Sequence, residues 1–267
     1  MTWVYSMTDK IFNEDCFIGM KKLPDNSIDM ILTDLPFGMV DCGWDKEINL
    51  KNFWSEVNRV LKHRSSAVMF ASGKFSTRLI NSNFDNYKYK WIWVKNAATN
   101  FLHSKNCPMH KYEEILIFSD GVINHESIAA DRRMKYNPQG VKEKPPSIRT
   151  NQLHKFNGCY GARPSHQETV IATKEGYPSD VLFYDVVHSS VRVHPTQKPV
   201  DLLEYLIKTY TNEGETVLDA TIGSGSTAVA AINTNRHFIG FELDKKYFNV
   251  ANQRIAETLA KKRQALF

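Results

Sequence analysis

Residues 215–227 read ETVLDATIGSGST, a short apolar stretch followed by a glycine turn and then by small residues. The apolar TVLDA predicts a strand, and the periodicity after the turn predicts a helix. Gly223 and Gly225 let the backbone turn tightly and approach a ligand, and the helix N-terminus offers free N–H groups. A Gly-x-Gly turn alone is also ordinary in α/β proteins, so the surrounding sequence has to decide its role.

The residues after the turn narrow the choice of ligand. No lysine follows Gly225, which disfavours the phosphate loop of proteins that bind nucleoside triphosphates. The next strand ends in FIGFELD and places Glu242 where an acidic residue binds ribose hydroxyls in nucleotide-type pockets. The alternative is a surface carboxylate that caps the last helix, and Asp244 suits that role better than Glu242. The turn and Glu242 together predict a nucleotide-like ligand.

Strands and helices alternate on both sides of a polar middle segment. Strands are predicted in KIF, SIDMILTD, AVMFAS, YKWIWVK, YEEILIF, TVLDA and HFIGF, and most are separated by amphipathic helices such as FWSEVNRVLK and PVDLLEYLIKTYT. This alternation predicts an α/β fold with a doubly wound, mostly parallel sheet. Periodicity fades in residues 121–192, which we interpret as an insert between the halves 1–120 and 193–267.

Composition sets the broad class of the protein. The chain has 267 residues, 42% of them hydrophobic, and a formal net charge of +5, which suits one large domain and is compatible with a polyanionic partner. The scattered cysteines and the absence of a leader pattern or a long apolar run predict a cytoplasmic protein without a membrane partner. His103, Cys107 and His110 are unevenly spaced and lack a fourth partner, so we expect no metal site.

Residues 33–38, TDLPFG, follow the apolar run that ends at Leu32. Taken alone, they could be a strand end and a turn, with Asp34 as a cap and Phe37 in the core. However, Asp34 and Asp219 both end predicted parallel strands, at the edge where open α/β sheets bind ligands. One pocket at this edge can hold two reactants.

These motifs resemble those of the amino-group DNA methyltransferases. TDLPFG resembles their Asp-Pro-Pro-Tyr catalytic motif, HPTQKP at 194–199 the segment that precedes the cofactor loop, and LDATIGSGST with FELD the S-adenosylmethionine site. The catalytic motif comes first and the cofactor motif last, as in the beta class of that family. Leu35 and Phe37 depart from the usual proline and tyrosine. The resemblance covers all but the insert and implies a Rossmann-like, circularly permuted methyltransferase fold.

The resemblance also implies roles for individual residues. The implied catalytic residues are Asp34, Leu35, Pro36 and Phe37. The implied residues of the S-adenosylmethionine site are Asp15, Asp34, Thr196, Lys198, Asp219, Gly223, Ser224, Gly225, Ser226, Thr227 and Glu242. Two of these have a plain alternative, because Asp15 could be the N-cap of the first helix and Lys198 a solvated charge.

The chemistry of an exocyclic amine explains why such a motif is needed. Its lone pair is delocalised into the base, so catalysis has to localise it. The Asp34 carboxylate and the Leu35 carbonyl can each accept one amine hydrogen, Pro36 fixes the loop backbone, and Phe37 can stack on a flipped base. The initial Asp favours adenine N6 over cytosine N4, where Ser is common. The other hypotheses are an RNA or protein amide methyltransferase and an inactive DNA-binding homologue.

The insert is the expected recognition region for double-stranded DNA. It mixes cations with aromatic and polar residues, which suits phosphate and base contacts, although a solvated surface has the same composition. Trp44, on the loop after the catalytic strand, is either a lid or DNA contact or a hydrophobic anchor. The predicted DNA-binding residues are Trp44, Arg132, Arg133, Lys135, Arg149 and Arg163. A homodimer and a cognate restriction endonuclease are partners that the sequence leaves open.

Overall fold

The computed structural model describes residues 7–37, 48–123, 131–150 and 169–265. The strands are β1 (Lys10–Phe12), β2 (Ile28–Thr33), β3 (Leu61–Ala71), β4 (Tyr87–Thr99), β5 (His110–Phe118), β6 (Lys142–Thr150), β7 (Thr169–Glu175), β8 (Val181–Phe183), β9 (Thr216–Asp219) and β10 (His237–Phe241). The helices are α1 (Cys16–Met20), α2 (Leu50–Val60), α3 (Gly73–Ser82), α4 (Val200–Tyr210), α5 (Ser226–Asn233) and α6 (Lys245–Gln264). In the described ranges no helix is long and apolar enough to cross a membrane.

The main sheet has the order β1-β10-β9-β2-β3-β5-β4-β8. The strands from β1 to β3 in this order are parallel, β5 runs antiparallel between β3 and β4, and β8 is parallel to β4. The predicted α/β fold with a mostly parallel sheet is therefore confirmed. β8 lies within the segment that the sequence assigned to the insert. It was not predicted, because a strand of three residues between turns leaves too little pattern to recognise.

Helices cover both faces of this sheet. The central strands β2 and β9 are buried along their whole length, as expected for strands covered on both sides. Side chains of α4, α5 and α6 pack with Met30 and Leu32 on one face. Side chains of α1, α2 and α3 pack with Ile31 and Met69 on the other face. Alternation of neighbouring residues between two apolar cores is the signature of a doubly wound fold.

The order of the strands reverses between β2 and β9. From β2 the chain continues to β3 on one side, and from β9 it continues to β10 on the other side. The connecting helices leave a crevice beyond the carboxyl ends of these two strands, which is where open α/β sheets bind ligands. We call this side the carboxyl edge and the opposite side the amino edge. TDLPFG and the glycine turn both begin at the carboxyl edge.

Two compact units make up the chain. The first comprises Met1–Asn137 and Asp180–Phe267, and the second comprises Pro138–Ser179. In the second unit β6 pairs antiparallel with β7, and a register shift between Glu143 and Ser147 accommodates two prolines. The second unit is narrower than the predicted insert, since residues 121–137 and 180–192 belong to the first unit. A recognition role for the insert stays a prediction.

Candidate active site

A cavity of about 630 Å³ lies at the carboxyl edge between β2, β9 and β10. Its wall includes nearly all the catalytic and cofactor residues that the resemblance implied. The predicted residues in the wall are Asp15, Asp34, Leu35, Pro36, Phe37, Thr196, Lys198, Asp219, Gly223, Ser224, Ser226, Thr227 and Glu242. Residues far apart in sequence are thus brought together because their parallel strands end at the same edge.

Asp34 follows β2 and is held from two directions. Its backbone carbonyl accepts a hydrogen bond of 3.0 Å from the Thr221 hydroxyl on the turn after β9. Its Oδ2 accepts one of 2.7 Å from Lys198 Nζ. Its Oδ1 is buried, yet no described residue donates a hydrogen bond to it. A buried carboxylate oxygen without a donor is costly, so this atom is suited to accept from a ligand.

Lys198 lies in a chain of buried charges that extends beyond Asp34. Its ammonium is 3.1 Å from Glu113 Oε2, and Lys95 pairs with the other oxygen of Glu113. The Lys198 side chain is only 11% exposed, so the alternative of a solvated lysine is wrong. Sequence reasoning missed Glu113 and Lys95. A carboxylate directly before the run EILIF was the available signal, since β5 is antiparallel and begins at the carboxyl edge.

The buried charged groups around Lys198 shift one another's pKa values. Burial raises the pKa of Asp34 and the Glu113 carboxylate adds to the rise, while Lys198 opposes it. Burial acts to lower the pKa of Lys198, but the two carboxylates outweigh it and raise that pKa above its ordinary value. Burial acts to raise the pKa of Glu113, but Lys198 and Lys95 outweigh it and lower that pKa. Lys198 therefore carries its charge at neutral pH.

The remaining residues of TDLPFG form one wall of the cavity. Leu35 is buried in the core beneath α2 and α3, which fixes the loop by packing where the resembled family has a proline. The Phe37 ring stacks on Phe75 with centroids 4.6 Å apart, and the Phe37 carbonyl accepts a hydrogen bond from Arg78. Phe37 is half-buried and lines the cavity, so it combines the core role and a ligand-facing position.

Asp219 organises the turn after β9. Its Oδ1 accepts from the Thr221 N–H at 3.1 Å, and its Oδ2 accepts from the Thr227 hydroxyl at 2.6 Å. Burial raises the pKa of Asp219 to about 6, although these donors oppose the rise. The carboxylate thus ties the two ends of the glycine turn together while lining the cavity.

The two glycines of the turn have different surroundings. Gly223 has φ +54 and donates its N–H to Glu242 Oε2 at 2.9 Å, and its Cα faces the side of the cavity near His194. Gly225 has φ +81, and a Cβ there would lie 3.0 Å from the Cβ of Ala251 in α6. Gly225 is not in the cavity wall, so the geometry gives it a helix-packing role rather than the predicted cofactor contact.

Glu242 is oriented by the backbone around it. Oε2 accepts from Gly223 N–H, and Oε1 accepts from Asp244 N–H at 2.7 Å. Burial raises the pKa of Glu242, and these backbone donors counteract the rise. Asp244 caps α6 through Lys246 N–H, as the sequence predicted. A carboxylate offers about four lone-pair positions, so Glu242 retains capacity for two ligand hydroxyls.

Arg254 of α6 is a further residue that sequence reasoning missed. Its guanidinium donates to the Ser224 carbonyl at 2.6 Å, to the Ser224 hydroxyl at 3.0 Å and to the Ser226 hydroxyl at 3.1 Å. It therefore fixes the turn from outside the cavity. No pattern in the sequence links it to the turn, because the helix register that brings it there depends on packing.

The first loop of the chain contributes two acidic residues. Asp15 accepts hydrogen bonds from the N–H groups of Phe17 at 2.8 Å and Ile18 at 3.4 Å. It is therefore the N-cap of α1, as the alternative interpretation of the sequence held. Asp15 also lines the cavity. Glu14, which sequence reasoning did not single out, pairs with Lys22 through one oxygen and buries the other without a described donor.

Thr196 is placed by His194. The Thr196 N–H lies 3.2 Å and its hydroxyl 3.1 Å from His194 Nδ1. The His194 ring contacts Tyr247 of α6 edge-on, with centroids 4.1 Å apart. Burial and the nearby Lys198 charge lower the pKa of His194 to about 4, so the ring is neutral at pH 7 and its Nδ1 can accept.

The predicted DNA-binding residues do not gather at this site. Trp44 and Arg163 lie outside the described residues, and of Arg149 only the backbone, in β6, is described. Arg132, Arg133 and Lys135, which the sequence assigned to the insert, lie in the first compact unit.

The segment from Arg132 to Lys135 packs against the amino edge of the main sheet. The Lys135 N–H donates to Arg64 O at the start of β3, and its ammonium pairs with Glu215, which precedes β9. Val122 N–H donates to Arg132 O. These backbone hydrogen bonds hold the segment at the amino edge, and no pattern in the sequence predicts them.

Known proteins share the sequence pattern of this chain. The family model for DNA methylases of the N6/N4 type matches residues 28–253. The type II methyltransferase M.HindIII of Haemophilus influenzae is 28% identical, over 93% of this chain and 96% of its own.

Two solved structures share the fold. The PvuII DNA methyltransferase (cytosine-N4-specific) has a TM-score of 0.64 at 16% identity and covers 92% of this chain and 85% of its own. The M1.HpyAVI–SAM complex has a TM-score of 0.58 at 24% identity and covers 92% of this chain and 98% of its own. The fold likeness confirms the predicted methyltransferase fold, and the family match covers both motifs. The chain therefore belongs to the DNA methylase family whose members modify an exocyclic amine, N6 of adenine or N4 of cytosine.

Proposed function

We propose that this protein moves a methyl group from S-adenosylmethionine to the N6 amine of an adenine flipped out of double-stranded DNA. The observation that carries the proposal is Asp34 Oδ1, a buried carboxylate oxygen in the cavity wall with no described donor. An exocyclic amine brings the hydrogen that this atom lacks. Asp34 at the first position of the catalytic motif, rather than Ser, supports adenine over cytosine.

The cavity has the size and charge that S-adenosylmethionine needs. A volume of about 630 Å³ suits a ligand of that size. The acidic residues of the wall are Glu14, Asp15, Asp34, Asp219, Glu242 and Asp244, against the single lysine Lys198 among the described wall residues. A positive sulfonium and an ammonium group are favoured in such surroundings. M1.HpyAVI, which shares the fold, has been solved with this compound.

Several residues would hold the cofactor. We assign the ribose hydroxyls to the free lone pairs of Glu242, and the methionine end to Thr196 and the loop held by Lys198. The turn from Gly223 to Thr227 would border the cofactor, with Asp219 fixing the turn. When bound, S-adenosylmethionine supplies an electrophilic methyl group.

The residues of TDLPFG would prepare the amine. Asp34 Oδ1 accepts one amine hydrogen and the Leu35 carbonyl the other, which localises the nitrogen lone pair and directs it across the cavity. The amine nitrogen would form the new N–C bond with its lone pair while the bond from the methyl group to the sulfonium sulfur breaks and leaves its electron pair on sulfur as a neutral thioether. The nitrogen would also lose one proton, which Asp34 is placed to accept. Phe37 offers a ring face to the extruded base. Lys198, anchored by Glu113, keeps Asp34 Oδ2 occupied and so leaves Oδ1 for the substrate.

Transfer of a labelled methyl group from S-adenosylmethionine to DNA, followed by separation of the nucleosides, tests this proposal. We expect the label in N6-methyladenine. Label in N4-methylcytosine would establish the second candidate function, cytosine-N4 methylation. The PvuII enzyme, which shares the fold, is cytosine-N4-specific. Label in RNA or protein but not in DNA would contradict the proposal. A cognate restriction endonuclease, a homodimer and the cytoplasmic location stay predictions.

A further inference from the structure

The β4–β5 hairpin projects from the carboxyl edge beyond the active site. Trp93 pairs with Glu113, whose side chain reaches Lys198, and the ladder continues to the pair Thr99–His110. Six residues of strand span up to about 20 Å. The tip of the hairpin, residues 97–111, therefore extends beyond the carboxyl edge, at which the cavity lies.

This projecting hairpin (residues 97–111) is exposed and carries apolar side chains at its end. Phe101 is 76% and Leu102 is 92% exposed, at the start of a 3-10 turn that follows Asn100 in the left-handed region. Exposed large apolar side chains at a loop tip are unfavourable unless a partner covers them. No residue of the first unit's described core packs over them.

The charges of the hairpin indicate the kind of partner. From residue 96 to residue 112 the sequence contains Lys105, Lys111, His103 and His110 and no Asp or Glu. The absence of acidic residues is compatible with a phosphate backbone, and two cations beside an apolar tip suit a nucleic acid better than an apolar protein surface. A strand ribbon of this width fits a DNA groove.

We propose that Phe101 and Leu102 insert into the DNA duplex next to the target base and hold open the space that the base vacates, while Lys105 and Lys111 contact the flanking phosphates. Apolar wedges of this kind partly unstack a base step. The inference rests on the proposed function in that it assumes a flipped base at Asp34. It does not depend on whether that base is adenine or cytosine.

The test compares Phe101→Ala/Leu102→Ala with Phe84→Ala. Phe84 is 68% exposed but precedes β4 at the amino edge, so its loss controls for removing an exposed aromatic ring. The substrate is a duplex carrying the site found by mapping methylated bases in a host that expresses the wild-type chain. A second duplex has the target base mismatched, which lowers the cost of extrusion.

On the paired duplex we expect methylation by the double variant to fall about 10- to 100-fold, because unstacking loses its support. On the mismatched duplex it should return to within about threefold of wild type, since that base is already unstacked. Phe84→Ala should match wild type on both. Wild-type rates in the double variant, or equal losses on both duplexes, would overturn the wedge.

Sedimentation and direct DNA binding complete the test of the wedge. If the tip instead bound a second copy of the chain, the double variant would sediment as a smaller species than wild type, and that result would overturn the wedge. If the wild-type chain methylated no DNA, the proposed function would fail, and affinity for a fully paired duplex of arbitrary sequence would decide. Weaker binding by the double variant than by Phe84→Ala would still support insertion, and equal binding would overturn it.

Discussion

The two edges of the main sheet use charged residues in opposite ways. At the amino edge Lys62 pairs with Asp29, Lys135 with Glu215, and Arg59 with Asp25 and Glu56. At the carboxyl edge Asp34 and Glu14 each bury an oxygen without a described donor. Satisfied charges hold a fold together, whereas unsatisfied buried ones mark the surface that a ligand completes.

This difference shows that the position of a charge on the sheet matters more than the local density of charge. The cationic run around Arg132 has the composition of a DNA contact, yet it packs against the amino edge of the sheet. The carboxylates of the carboxyl edge come from distant parts of the sequence but converge in space. Variants matched between the two edges can therefore break or sharpen the comparison.

The largest effect is expected for Lys198→Met compared with Lys62→Met. Lys198 is 11% exposed and faces two buried carboxylates, whereas Lys62 is 44% exposed and faces one. Loss of one partner of a buried ion pair costs about 3–5 kcal/mol of folding stability. The loss at Lys62 should be smaller, about 1–3 kcal/mol, because its ammonium is solvated and the buried Asp29 keeps the Thr216 N–H as a donor. Denaturant unfolding measures the loss of stability in each variant, and a methyl-transfer assay measures the loss of activity. Equal losses of stability in the two variants would contradict the distinction between the edges.

Gly223→Val should weaken cofactor binding by about tenfold or more, because a β-branched side chain at positive φ distorts the turn whose Gly223 N–H orients Glu242. Gly214→Val is the matched control, since Gly214 has φ +78 with nothing within 4 Å and precedes β9 at the amino edge. Both variants should lose some stability through backbone strain. Calorimetric titration with S-adenosylmethionine should show the loss of affinity in Gly223→Val alone. The same loss in both would make the effect purely one of folding.

Glu113→Gln should reduce kcat by about tenfold, since Lys198 would then bind Asp34 alone and weaken it as an acceptor. Removing the Glu113 charge also removes one cause of the raised pKa of Asp34. The acid limb of the kcat–pH profile should therefore move to lower pH. A loss of kcat without this shift would leave Glu113 with a packing role only.

The lowered pKa of His194 has a consequence for stability. The unfolded ring titrates near 6.5 and the folded ring at about 4, so between these values the unfolded chain binds more protons. Stability should therefore fall as the pH drops from 6.5 to 4, by about 2–3 kcal/mol at most from this residue. Urea unfolding of His194→Asn across this range should show a shallower pH slope than wild type. Identical slopes would exclude His194 as the cause.

The smallest effect is expected for Arg132→Ala/Arg133→Ala/Lys135→Ala. The sequence alone predicts that this variant flattens the salt dependence of DNA binding, but the amino-edge location predicts an unchanged slope. Lys105→Ala/Lys111→Ala at the projecting hairpin should lower the slope by about two, since each lost phosphate contact removes about one released counterion. A flattened slope in the triple variant would return that segment to the DNA interface.

The main elements of the fold and most of the cavity could be predicted from the sequence. The strand-turn patterns at Asp34 and Asp219 are local, and the rule that ligands bind where parallel strands end brings them together without coordinates. The partners of Lys198 could not be predicted in this way. Glu113 reaches the cavity only because β5 runs antiparallel, and Arg254 reaches the turn only through the packing of α6.

The placement of the cations was the part that sequence reasoning could not supply. A run such as DRRMKY has the same composition whether it faces DNA or pairs with the sheet. The outcome depends on backbone pairing between residues far apart in sequence, such as Lys135 with Arg64. Short strands have the same difficulty, since β8 gains its place from β4 rather than from its own three residues.

Single-turnover methyl transfer by Asp34→Asn, with Asp25→Asn as the control, tests the central claim most directly. Asp25 is an exposed amino-edge carboxylate paired with Arg59. We predict that Asp34→Asn lowers the rate at least about a hundredfold, the lower end for a positioned acid–base group, while its affinity for S-adenosylmethionine stays within about twofold. Asp25→Asn should keep both values. Transfer by Asp34→Asn at close to the wild-type rate would contradict the account.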